Sequence, residues 1–96
     1  MRLEEMTQVL KKERSRLSEL RVKSLALFGS AARNEDGPKS ALDFLVEFKG
    51  PATFDQYMGL KILLEDLFRC PVDLVTRRGI RPELTRSINK EAIDVA

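Results

Sequence analysis

Three short stretches hold residue types that could carry chemistry: Gly29-Ser30, the run Ala41-Leu42-Asp43, and Asp73. A glycine followed by a serine, where a strand gives way to a helix, lets the backbone turn sharply and come close to a ligand. The serine hydroxyl, the first N–H groups and the helix dipole then favour an anion. Arg33, one turn further on, would neutralise a phosphate. Gly-Ser turns into helices are also common without any ligand, so this pair alone says little. Positions 41 and 43 share one face of a strand, about 7 Å apart along it. Two carboxylates so placed would converge on a pair of cations ~4 Å apart, as in two-metal phosphoryl transfer. Only Asp43 is a carboxylate here, and a lone aspartate entering a strand serves equally as a solvated edge residue or a cap. Asp73 is flanked by Val72, Leu74 and Val75. Buried there without a partner it would be costly, so it lies on an exposed face, pairs with a base or binds a metal.

Composition narrows the chemistry further. The chain has no histidine and one cysteine, Cys70. Ser-His and Cys-His catalysis and His-ligated metals are therefore excluded, and a metal would sit on carboxylates, which suits hard cations such as Mg2+. Cys70 has no disulfide partner and reads as a small buried hydrophobe in a cytoplasmic protein. Ninety-six residues, 43% hydrophobic and 33% charged, fit one globular domain over 1–96. A net charge of +2 is too even to mark a nucleic-acid binder. No apolar run approaches the roughly 18 residues of a membrane span, and the opening MRLEEMTQ has no signal-peptide core.

The elements that must position these residues follow from periodicity. Leu3, Met6, Leu10, Leu17 and Leu20 predict one amphipathic helix from Leu3 to Leu20. Val22–Phe28 predicts a first strand ending at Gly29, and Ala31-Ala32-Arg33 suits a helix start. Residues 34–40 (NEDGPKS) form a polar loop with a Gly-Pro turn. Leu42, Phe44, Val46 and Phe48 alternate with Asp43, Leu45 and Glu47, the period of a second strand. Thr53 and Gln56 form a capping box that opens a helix through Phe68, stopped by Pro71. Val72–Thr76 is a third strand, Pro82 opens a last helix to about Lys90, and Ala92–Val95 gives a fourth short strand. The expected class is α+β, a small mixed sheet of three to four strands covered by helices.

Taken together, Gly29-Ser30-Ala31-Ala32-Arg33, then Ala41-Leu42-Asp43-Phe44-Leu45-Val46, then Asp73 in Pro71-Val72-Asp73-Leu74-Val75, resemble the signature of the minimal nucleotidyltransferases, the MNT family of the polymerase-beta-like superfamily. That signature reads Gly-Ser-x-Ala-Arg, a polar loop with Ser-Asp-x-Asp, and a third acid in a later apolar strand. The resemblance covers nearly the whole chain, to Lys90-Glu91-Ala92-Ile93 at its end. It implies the nucleotidyltransferase fold, with Gly29, Ser30 and Arg33 at the triphosphate of ATP. It also implies Asp43 and Asp73 as Mg2+ ligands, with Asp73 helping to activate the attacking hydroxyl. Small proteins of this kind resemble antitoxins that adenylylate a tyrosine of a HEPN-type toxin, a ribonuclease. The family pattern has aspartate where this chain has Ala41, so the catalytic positions 41, 43 and 73 hold two carboxylates instead of three. Glu47 lies ~13 Å along the strand from Asp43, too far to substitute, and Asp36 is a conceivable stand-in from the loop. The expected consequence is weak nucleotide binding and little or no transfer. Ser40, Asp43 and Asp73 around the gap are those of a working site, which favours one replaced aspartate over gradual decay.

Two other functions fit the residues. A non-catalytic antitoxin would neutralise its partner by complex formation alone, needing neither ATP nor Mg2+. Arg77, Arg78, Arg81 and Arg86 would line a nucleic-acid track, but no aromatic residues interleave them, and a solvated basic face is the simpler reading.

Overall fold

The alternation in Leu42–Phe48 (β2) builds the sheet outward in both directions. In the computed structural model, which describes residues 3–29 and 41–96, β2 pairs antiparallel with β1 (Val22–Phe28) and parallel with β3 (Val72–Thr76). A two-residue strand β4 (Ile93–Asp94) adds to the far side of β1 in antiparallel sense, giving the order β3-β2-β1-β4. The sheet is mixed and four-stranded, and the α+β class follows from it. β4 is shorter than Ala92–Val95, although Val95 N–H and Ala96 N–H both donate to Leu25 O and extend the strap.

Even-numbered β2 residues face the helices. Leu42, Phe44, Val46 and Phe48 join Leu25 and Leu27 of β1 in one buried cluster with Met6, Leu10, Leu17, Leu60, Leu64 and Phe68. The Phe44 and Phe68 rings stack with centroids 5.9 Å apart. The odd-numbered residues Asp43, Leu45 and Glu47 take the opposite face. Leu45 is buried there beside its register partner Ala26.

The first helix is two helices, α1 (Leu3–Lys12) and α2 (Arg14–Glu19), and this corrects the single helix expected over Leu3–Leu20. Glu13 breaks it at φ −99°, ψ 17°. Leu10 and Leu17 are seven residues apart, a spacing at which a straight helix drifts by about 20°; with the break both are buried in the same core.

The helix α3 (Phe54–Phe68) begins as expected. Thr53 Oγ1 accepts from Gln56 N–H at 3.1 Å and Gln56 Oε1 accepts from Thr53 N–H at 2.9 Å. It ends before Pro71 acts, because Arg69 adopts a left-handed conformation (φ 56°, ψ 39°) and returns its N–H to Glu65 O. A 3-10 turn, Arg77–Gly79, leads to α4 (Pro82–Glu91), with proline in its first turn and no buried residue. The helix start expected at residues 31–33 lies outside the described residues.

Thr53→Ala removes the reciprocal cap at a cost of about 1 kcal/mol. For a domain of this size the melting temperature read by circular dichroism should fall by roughly 4–8 °C; an unchanged melt would show that the cap contributes nothing to α3.

Candidate functional site

Asp43 and Asp73 are register partners on neighbouring parallel strands. Adjacent strands lie about 4.8 Å apart, and partners in register project from the same face, so the two carboxylates stand side by side. Asp43 is half-buried and Asp73 exposed. No ion pair involves Asp73 among the described residues, so of its three sequence-based alternatives the structure leaves the exposed face or a ligand from outside.

The other flank of Asp43 belongs to β1. Its register partner there is Phe28, which brings the next residue, Gly29, against the Asp43 side chain. Gly29 has φ +78°, and a Cβ placed on it would collide with the Asp43 carboxylate, with the Asp43 Cγ only 3.1 Å away. Both the left-handed backbone and the close approach require glycine at this position. Ser30 and Arg33, as well as the stand-in Asp36, lie outside the described residues.

Ala41 stands one residue before β2, where the sequence reading put it inside the strand. The strand begins at Leu42, whose N–H donates to Pro71 O at 3.0 Å and so starts the pairing with the third strand. Ala41 keeps the parity of Asp43, and its half-buried methyl brings no oxygen to that face.

Glu47, at the other end of the same face, is engaged elsewhere. It pairs with Lys23 at 3.6 Å and with Arg77 at 3.7 Å. Arg77 also donates to Asn89 Oδ1 at 2.8 Å. One of the four arginines considered as a phosphate track is thus committed within the protein.

Two side chains near the site escaped the sequence reading. Tyr57 donates its hydroxyl to Leu74 O at 2.5 Å. Glu65 Oε2 accepts from Val72 N–H at 3.1 Å. Their spacing of eight residues on one helix face is a weak signal unless the neighbouring strand is already known. Cys70 is half-buried and packs against the core.

The two aspartates open onto a cleft of about 530 Å3. Lys61 and Arg81 stand in its wall, together with the apolar Leu84 and Ile88 of the last helix. Among the described residues no group of three or more Asp, Glu, His or Cys gathers that could hold a metal by itself. Two adjacent carboxylates do suit Mg2+ held jointly with substrate phosphates, because that ion commonly takes one or two protein carboxylates and completes its octahedron with phosphate and water oxygens. The pair therefore fits a metal that arrives with a nucleotide. Among the described residues no helix is long and apolar enough to cross a membrane.

Known proteins share this architecture. The family model described as "Nucleotidyltransferase domain" matches residues 8–95. A Methanocaldococcus jannaschii protein, named as a candidate protein adenylyltransferase, is 37% identical over 93 residues, 95% of each chain. A solved structure described as a candidate minimal nucleotidyltransferase superposes with TM-score 0.82 and 34% identity, covering 97% of this chain and 95% of its own. An MNT antitoxin complex from Shewanella oneidensis, in which the HEPN toxin is tri-AMPylated, matches with TM-score 0.67 over 95% of this chain and 71% of its own. At 17% identity that last likeness shows the fold alone.

Gly29→Ala should destabilise the protein in urea denaturation, because alanine costs about 1–2 kcal/mol in the left-handed region and its methyl strikes the Asp43 carboxylate. In an Asp43→Ala background the collision is relieved and the loss should be smaller. Equal losses in both backgrounds would show that the close approach carries no energy.

Proposed function

The chain belongs to the nucleotidyltransferase domain family, and from that premise we propose that it is an antitoxin transferring AMP from ATP to a tyrosine hydroxyl of a HEPN-type toxin. The observation that carries this reading is the side-by-side placement of Asp43 and Asp73, with Gly29 closed against Asp43 on the opposite flank. The names of the relatives and the AMPylated toxin in the Shewanella complex support the group transferred and the kind of partner.

The roles follow from this placement. Gly29, lacking a side chain, lets the turn close against the Asp43 carboxylate, and its backbone together with Ser30 and Arg33 would bind the triphosphate oxygens. Asp43 and Asp73 would hold Mg2+, which supplies charge stabilisation at the phosphates when bound. The partner's tyrosine oxygen attacks the α-phosphorus, and its proton passes to the Asp73 carboxylate. The bond from the α-phosphorus to the bridging oxygen breaks, and pyrophosphate leaves with that electron pair. Most of the rate in such transfers comes from positioning and charge stabilisation, so one missing carboxylate is expensive. With Ala41 in the third carboxylate's place, the chain as it stands transfers poorly.

That same methyl favours a second reading, a non-catalytic antitoxin acting by complex formation. Only the enzyme needs ATP and Mg2+ to silence its partner.

Incubating the chain and its Ala41→Asp variant with a HEPN partner, labelled ATP and Mg2+ separates the two. Label on the partner is expected from Ala41→Asp, at least on the order of 10²-fold above the chain with Ala41, the scale on which one lost transition-state contact acts. No label from either, with a stable complex still forming, would sink the enzyme reading in favour of the binding module.

A further inference from the structure

β3 is an edge strand, and it carries Asp73. Residues alternate along such a strand between peptide groups that face the neighbouring strand and groups that face outward. Pro71 O accepts from Leu42 N–H of β2, so residues 71 and 73 face inward and residues 72 and 74 outward. Outward N–H and C=O groups on an edge are normally left to water or to a chance partner. Here one N–H and one C=O are taken by a single helix. Glu65 Oε2 accepts from Val72 N–H and the Tyr57 hydroxyl donates to Leu74 O, so α3 grips the strand on either side of Asp73. Neither residue is buried to the degree of the core, although the Tyr57 ring packs against it.

We propose that Tyr57 and Glu65 are positioning residues for the metal site, holding the edge strand so that the Asp73 carboxylate stays level with Asp43. The inference rests on the reading of Asp43 and Asp73 as a Mg2+ pair. It concerns how their separation is maintained. A parallel strand paired on one side only, over five residues from Val72 to Thr76, can fray or shift by a fraction of a residue. A displacement of about 1 Å is enough to spoil a two-carboxylate site whose ligands need placement within roughly 0.5 Å. With Ala41 unable to contribute an oxygen, the site depends on this one pair, and the tethers matter more than they would beside three carboxylates. Glu65 lies outside the cleft and reaches the site only through β3, whereas Tyr57 also lines the cleft beside Asp43 and Asp73. Glu65→Ala is therefore the variant that isolates the tether.

The test uses Tyr57→Phe, which keeps the ring, and Glu65→Ala, with Glu65→Gln retaining a carbonyl acceptor. Each is made in the full chain and in the Ala41→Asp form. Two quantities are read well below the melting temperature: Mn2+ affinity in the presence of ATP, by electron paramagnetic resonance, and amide exchange at Leu42 against Leu25. The Leu42 N–H bonds to Pro71 at the β3 side, and the Leu25 N–H bonds to Ala96 at the far side of the sheet. Tyr57→Phe and Glu65→Ala are expected to weaken Mn2+ binding about tenfold and speed Leu42 exchange about tenfold, with Leu25 unchanged and Glu65→Gln close to the parent. A merely structural role would move both amides together and leave Mn2+ affinity in the folded protein unaltered. Unchanged exchange at Leu42, or faster exchange with unchanged Mn2+ affinity, overturns the proposal. An Ala41→Asp parent that binds no Mn2+ defeats the reading of the metal site itself, while Leu42 exchange still decides whether the tethers hold the strand.

Discussion

The parallel pairing of β2 with β3 is the constraint on which the rest depends. It sets Asp43 opposite Asp73, and no other contact between described carboxylates brings two acids onto one face at strand spacing. The long α3 exists in this topology to make that pairing possible, because two parallel strands need a crossover between the end of one and the start of the next. The crossover also fills the core, through Leu60, Leu64 and Phe68, and so ties the stability of the fold to the alignment of the site. The side chains of α3 then reach the outer edge of β3, and one helix both connects the two strands and fixes their relative position.

The two faces of β2 divide structure from chemistry. Phe44, wholly buried, stacks on Phe68 on one face, while Asp43 and Glu47 occupy the other. A one-residue slip would send the aspartate into the core and a phenylalanine into the cleft, so core packing enforces the register that the carboxylates need. Gly29 adds a second constraint from the β1 side. It must turn the chain and leave space for the Asp43 side chain at once, and no residue with a Cβ does both. Ala41 breaks none of these arrangements. A methyl at the mouth of β2 is structurally neutral, which explains how the fold and the remaining pair persist around it.

Asp43 is therefore determined twice, by its place in an alternating strand and by its neighbours across the sheet. Asp73 is determined by pairing alone: its own strand is short, lies at the edge and is gripped from outside. Asp73 is exposed, whereas the more sheltered Asp43 sits between the glycine turn and the sheet.

The sequence by itself determined the order of the strands, the core face of β2, the capping box of α3 and the start of α4 at Pro82, because all of these are written in local signals and periodicity. Its spaced motif singled out Asp43 and Asp73 as candidates. Thr53 with Gln56 and Pro82 with the last helix are local signals that tertiary contacts had no reason to override. Tertiary structure alone decided the break at Glu13 and the start of β2 at Leu42 in place of Ala41. It decided as well that Glu47 is spent on Lys23 and Arg77, and that Tyr57 and Glu65 reach the strand carrying Asp73. The reason is the same in each case: these outcomes depend on which distant segments meet, and a periodicity of two or 3.6 residues reports which face an element presents without saying what lies against it.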